Sequence, residues 1–422
     1  MRFLSAIILL CAACSARAEL TIEISGAGEH QIPISLVHFA GEEKMAGQTI
    51  SSVVSNDLMR TGLFNLIDPA GKVPHEPNEV HYDEWTGVDA LVIGKVQALD
   101  GGRVEVRFRW LDMVRRTELV GLAVTAKNEQ LRAIGHRVAD LVYEKLTGSA
   151  GVFSTRIAYV NRDTRDGKRY RLVVADSDGY GEQTLLALNE PIMSPAWSPD
   201  GGQLAYVSFE RGHASVFVQS LATRQRSVLA DFPGSNSAPS WSPDGKQLAM
   251  VLTRDGSSQL YLVRADGSDL RRITFSEAID TEPHFLPDGK SLLFTSDRGG
   301  SAQIYRVPVE GGSAERLTFE GDNNFSPRVS PDGKNFVFSH YVGGVFYIAV
   351  QDFANKQMQV LTSGGWEKKP SFAPNGKLVL FATESQGRGI LATVSGDGRV
   401  KQKMVAQRGD IREPIWGPFL KQ

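Results

Sequence analysis

The chain has 422 residues, a formal net charge of −2 and no long basic run, which argues against nucleic acid as a partner and makes two domains the expectation. Its only cysteines, Cys11 and Cys14, lie near the start, so the rest of the chain can form no disulfide, thiolate nucleophile or Cys-based metal site. After those first residues no apolar run is long enough to cross a membrane as a helix.

Residues 1–18 read as a secretory leader: Arg2, an apolar stretch from Phe3 to Ala13, then Ala16-Arg17-Ala18 as a cleavage site. Cleavage leaves Glu19 as the mature N-terminus and, with Arg2 and Arg17 gone, a net charge of −4. Residues 19–148 then mix two periods, which predicts a small α/β domain. Leu20–Ser25 and Ile32–Phe39 are strand-like. Ile50, Val53, Val54 and Leu58 share one helical face that ends at Arg60-Thr61-Gly62. Ala90–Ala98, Val104–Leu111 and Glu118–Thr125 are three strands. A last helix is predicted from an N-cap at Asn128 to a stop at Gly148.

After a linker at 149–154, residues 155–422 repeat. Trp197, Trp241, Phe285, Val329, Phe372 and Trp416 occupy one aligned position, at steps of 44 or 43 residues. A period in this range, with several short strands per unit, marks a β-propeller. Thr155–Val160 matches the second strand of a repeat, and its missing first strand is Pro414–Gly417 at the far end. The fold class is therefore an N-terminal α/β domain plus a six-bladed all-β propeller closed by the C-terminal strand, a closure that removes exposed edges.

The hairpins Pro199-Asp200-Gly201, Pro243-Asp244-Gly245, Pro287-Asp288-Gly289, Pro331-Asp332-Gly333 and Pro374-Asn375-Gly376 are nearly constant, and turn chemistry accounts for every residue in them. The segments entering the first strands are all different: LNEPIMS, DFPGSNSA, SEAIDTE, EGDNNFS, SGGWEKK and QRGDIRE. Repeats that keep one rim and diversify the other are building a binding surface on the diversified rim. Ile192, Met193, Phe325 and Trp366 are apolar side chains predicted in those loops, where they suit interface anchors. Catalysis is not expected, since the chain has no G-x-S-x-G elbow and no H-x-H or H-E-x-x-H spacing. One enzymatic alternative is a metal-dependent, lactonase-like channel mouth with Asn236, Asp280 and Glu282 as oxygen ligands. No other cofactor is implied.

The leader, the α/β domain and the six repeats, with the segments YEKLTG (Tyr143–Gly148), TRIAYV (Thr155–Val160), IMSPAWSPDG (Ile192–Gly201) and DTEPHFLPDG (Asp280–Gly289), resemble the TolB family of periplasmic Tol-Pal proteins. The resemblance implies a non-enzymatic periplasmic protein that binds the lipoprotein Pal across the propeller mouth, a site that bacteriocins exploit. It places the Pal-contacting loops on Ser235, Asn236, Ser237, Ala238, Thr281 and Glu282, and the apolar anchors Met193 and Phe325, with Ser194 and Asp280 on the same rim, complete the expected Pal-binding set. Relatives often carry His-Asn-Gly-Ala where this chain has Ser235-Asn236-Ser237-Ala238, so no imidazole stands at Ser235. It further implies that Glu19, Leu20, Thr21, Ile22, Glu23 and Ile24 engage the inner-membrane protein TolA, a role that an extended, alternating segment suits through strand addition.

Overall fold

The computed structural model describes residues 31–44, 49–163, 169–404 and 409–420; the leader and the Glu19–Ile24 segment lie outside them. In the N-terminal domain β1 (Ile32–Leu36), α1 (Ile50–Met59), β2 (Phe64–Leu66), β3 (Ala90–Leu99), β4 (Arg103–Asp112), β5 (Thr117–Lys127) and α2 (Leu131–Thr147) follow in order. The sheet order is β2-β1-β3-β4-β5, with β1 parallel to both neighbours and β3 to β5 antiparallel. Strand alternation sends Val104, Val106, Phe108 and Trp110 to one face, where they meet Ile50, Val54 and Leu58 of α1 and Ile134, Val138 and Val142 of α2. The other face buries Leu91, Ile93 and Leu111 beneath Val80, Trp85 and Val88. The two helices approach closely at Gly135, where an added Cβ would come within 2.8 Å of the Val53 side chain.

Asn128 is not the N-cap of α2. It begins a 3-10 turn (Asn128–Gln130), and Gln130 Oε1 instead accepts from the Lys127 N–H at 3.0 Å. Gly148 does end the helix, in the left-handed region at φ 70°. Strand β2 was missed in the sequence because three residues, Phe64–Leu66, are too few to show a period.

Each propeller blade is a four-stranded antiparallel sheet, and there are six. The inner strands are Ile192–Trp197, Asn236–Trp241, Asp280–Phe285, Asn323–Val329, Lys368–Phe372 and Asp410–Trp416. The last of these pairs with Arg156–Arg162, so the two ends of the propeller share one blade. Trp416 secures that closure: its N–H donates to Ser371 Oγ at 3.0 Å, and its indole Nε1 donates to Thr155 Oγ1 at 2.8 Å.

The α/β domain meets this closing blade through charge. Arg60 Nη2 donates to Ser177 Oγ at 2.6 Å and Arg132 Nε to Asp176 Oδ2 at 3.0 Å, while Arg132 also pairs with Asp178. His136, 2% exposed, lies between Asp57 of α1 and Asp176 of the propeller. Burial alone would lower its pKa, but the carboxylates of Asp176, 3.7 Å from Nε2, and Asp57, 2.5 Å from Nδ1, prevail and raise it to about 9. In the linker the Asp140 carboxylate accepts the N–H groups of Phe153 and Ser154, at 2.7 and 3.1 Å. Asp57, His136 and Asp178 are close enough to suggest a metal, but Arg60 and Arg132 already supply the positive charge there.

Candidate functional site: the varied rim and the propeller channel

The residues expected in loops at the varied rim mostly begin the inner strands. Ladder pairing explains why. Ser237 pairs with Val251 and Ser240 with Ala249, so Ala238 and Pro239 together oppose one residue, Met250, in a β-bulge. The same interruption recurs at Glu282-Pro283, between the pairs Thr281–Thr295 and His284–Leu293, and in the other four blades. At every bulge the residue before proline is left-handed: Ser194 (φ 50°), Ala238 (47°), Glu282 (55°), Ser326 (54°), Lys369 (56°) and Glu413 (52°). None is β-branched or glycine, and a non-glycine residue held there costs of order 1–3 kcal/mol. A strain repeated six times around one axis is part of the architecture.

The bulge carries these residues to the channel wall, where Ser194, Ala238, Glu282, Lys369 and Glu413 line a common cavity. Of the three blades with small side chains at the bulge, those of Ser194 and Ala238 are neighbours, and the third, Ser326, is bonded to Glu282. Across the axis the tier is charged and bonded. Glu282 Oε1 accepts from Lys369 Nζ and, at 2.6 Å, from Ser326 Oγ; Oε2 accepts from the Ser326 N–H at 2.7 Å and Thr295 Oγ1 at 3.1 Å. Lys369 also stands 3.6 Å from Glu413. Burial pushes the Glu282 carboxyl up, but the Lys369 ammonium and the Ser326 hydroxyl outweigh it and hold it down near 2. Lys369 is correspondingly raised, its burial outweighed by Glu282 and Glu413.

Asn236 and Asp280 correct the sequence expectation. Both are 0% exposed, so neither side chain faces a partner in this conformation. Asn236 Oδ1 accepts from the Phe232 N–H at 2.9 Å, and its Nδ2 donates to the Ala214 and Phe232 carbonyls. Asp280 is held by both of its oxygens, each 2.8 Å from Arg298 Nη2. These side chains brace the loops beside them. With Glu282 committed to Lys369, the three do not form a vacant oxygen cage for a metal. Ile192 is also corrected, from rim anchor to core.

The other named positions do reach the surface. Met193 is 41% exposed, and Ser194, Ser235, Ser237, Ala238, Thr281, Glu282 and Phe325 are half-buried at the rim. Phe325 packs against Phe346, and Lys368 Nζ lies 4.0 Å above the Phe346 ring and 4.4 Å above that of Trp366. Arg412 approaches the same indole at 5.6 Å. This is an aromatic patch roofed by two cations, on the side of the rim opposite Met193. Sequence reasoning missed Lys369, Glu413, Arg328 and His284, although a signal existed: each repeat reads x-Pro-x-aromatic or x-Pro-x-Val, and x varies freely.

A second opening, of about 620 Å³, lies between the domains and is lined by Thr61, Leu63, Tyr143, Val152, Phe153 and Val400. Gln31, the first described residue, is close by, its Nε2 donating to the Gly62 carbonyl at 3.0 Å.

These features define a six-bladed β-propeller with an N-terminal α/β domain and one diversified rim around a charged channel mouth. The TolB amino-terminal domain matches residues 20–119, and the TolB beta propeller domain matches residues 143–420. The chain therefore belongs to the TolB family. It is 60% identical over 418 residues to the Tol-Pal system protein TolB of Nitrosomonas europaea, covering 99% of this chain and 97% of that one. With the Tol-Pal system protein TolB of Methylobacillus flagellatus it shares 61% identity over 414 residues, covering 97% and 95%. The crystal structure of TolB from Acinetobacter baumannii superposes with a TM-score of 0.84 at 36% identity, covering 94% of this chain and 99% of that one.

Proposed function

We propose that this chain is a non-enzymatic periplasmic component of the Tol-Pal system, joining the outer-membrane lipoprotein Pal to the inner-membrane protein TolA. In that role it supports outer-membrane integrity and invagination during cell division. The observation that carries the reading is the diversified rim on a chain alike over nearly its whole length to Tol-Pal system proteins. Pal binds at the rim through Met193, Ser194, Ser235, Ser237, Ala238, Thr281, Glu282 and Phe325, with Asn236 and Asp280 holding the loops in shape. Bacteriocins compete for that surface. No helix among the described residues is long and apolar enough to cross a membrane, which fits contact with both membranes through partners.

Glu19–Ile24 engages TolA, and its root at Gln31 stands beside the interdomain opening. Partner binding at the rim and exposure of this segment are coupled through the His136–Asp57–Asp176 contact, and such coupling is reciprocal, typically ~1–3 kcal/mol. Calorimetry with the purified periplasmic domains of Pal and TolA tests both halves. Deleting residues 19–24 should abolish TolA binding and leave the propeller's thermal transition unchanged. Undiminished TolA binding would refute that assignment.

A further inference from the structure

One residue along each inner strand beyond the bulge proline, further from the varied rim, lies a second tier: Ala196, Ser240, His284, Arg328 and Ile415 line the same cavity as the first. The cavity measures about 90 Å³, the liquid volume of roughly three waters. Its polar groups are unusual in sign. Among the described residues the Arg328 guanidinium makes one hydrogen bond, from Nη1 to the Pro327 carbonyl at 2.8 Å. A guanidinium carries five N–H donors, so most of its capacity stays unused.

The nearest carboxylates do not take up that capacity. Glu282 is bonded to Lys369, Ser326 and Thr295, and Glu413 pairs with Lys369. His284 lines the same cavity. Its Nδ1 lies 3.4 Å from the Val329 nitrogen, and the ring also bonds to the Phe285 backbone. Burial and the Arg328 charge hold this imidazole neutral, its pKa down near 3. The Ser240 hydroxyl completes this tier, while Glu282 and Glu413, which line the same cavity, are paired with Lys369.

We propose that Arg328 and His284 form a binding site for one small carboxylate or oxyanion at the axis of the propeller. The guanidinium offers paired donors of the spacing that a carboxylate accepts, and the neutral His284 ring stands beside it on the same cavity wall. Ser194 and Ala238 leave the rim side of the cavity least obstructed, so the group enters past them. It belongs either to a free anion or to an acidic residue or chain terminus of a bound partner. The second source rests on the rim being a partner surface; the first does not.

The decisive test uses the full chain alone. Crystals soaked in bromide should show anomalous density beside the Arg328 guanidinium. In solution, formate should raise the thermal midpoint with a millimolar Kd, whereas gluconate at equal ionic strength, too large for the cavity, should not. Arg328→Met should weaken formate binding about tenfold or more, and Arg328→Lys should weaken it less. Should the Met variant fold poorly, the bromide map of the unaltered protein still decides. Formate that competes with the Pal domain in the unaltered protein identifies a partner carboxylate; formate that binds without competing identifies a free anion. Water alone at the bromide-soaked site, with formate and gluconate indistinguishable, overturns the proposal whether or not Pal binds.

Discussion

At the hairpin rim of the propeller, Ser198, Ser242 and Ser330 each donate to the aspartate two residues on, at 2.6 Å, and that aspartate accepts a backbone N–H two residues further. Gly201, Gly245, Gly289, Gly333 and Gly376 follow at φ between 69° and 72°. The Ser242 hydroxyl is the chief reason that Asp244 has a lowered pKa, and Ser330 does the same for Asp332. At the varied rim the same repeat places a left-handed residue before proline in every blade, yet its side chain is serine, alanine, glutamate or lysine. One rim uses its polar groups to close identical turns. The other fixes a backbone shape and leaves the side chain free to differ. Uniform polar chemistry in a repeat therefore signals scaffold, and a uniform backbone bearing varied side chains signals a site.

Four substitutions or conditions can break that contrast. Glu282→Ala removes the partner of a mostly buried ammonium, Lys369, and should cost about 3 kcal/mol in chemical denaturation. A loss below ~1 kcal/mol would show that the charged tier does not hold the channel together. Ala238→Arg places a long side chain where Glu282 and Lys369 show that the backbone tolerates one. It should weaken Pal binding by about fifty-fold or more in calorimetry and leave the unfolding midpoint within a degree or two. Unchanged affinity would remove Ala238 from the interface.

His136 sets a pH window. Its pKa is raised from about 6.5 to about 9 in the folded protein, so its contribution is complete below pH 6.5 and disappears as pH rises through 9. Between pH 7 and 9 the protein should lose on the order of 2 kcal/mol that the His136→Gln variant does not lose. Parallel pH profiles would contradict the buried ion contact between the domains. The smallest effect belongs to the hairpin rim: Asp244→Ala should cost about 1 kcal/mol or less and leave Pal affinity unchanged.

The repeat made the propeller and its closure legible, because Trp416 and Thr155–Val160 stand in positions that only a shared blade satisfies. The varied rim was legible as a region. Within it, residue type misled. Asn236 and Asp280 look like free polar contacts in sequence, but a buried amide or carboxylate must find partners, and both found them in their own loops. Ile192 suits a loop in sequence, but it begins a strand whose alternation turns it into the core. Lys369 and Glu413 were overlooked because nothing local links them to Glu282; the 87 residues separating Lys369 from Glu282 are bridged only by blade geometry. The ion contacts between the domains were illegible for the same reason, since Asp57, His136 and Asp176 come from three distant elements.

Hydrogen–deuterium exchange of the full chain, with and without the purified Pal domain, tests the central claim most directly. The account predicts new protection at the starts of the inner strands, around Met193, Ala238, Glu282 and Phe325, and none at the hairpins around Gly201, Gly245 and Gly289. Protection concentrated on the hairpin rim, or spread evenly over both, would contradict it.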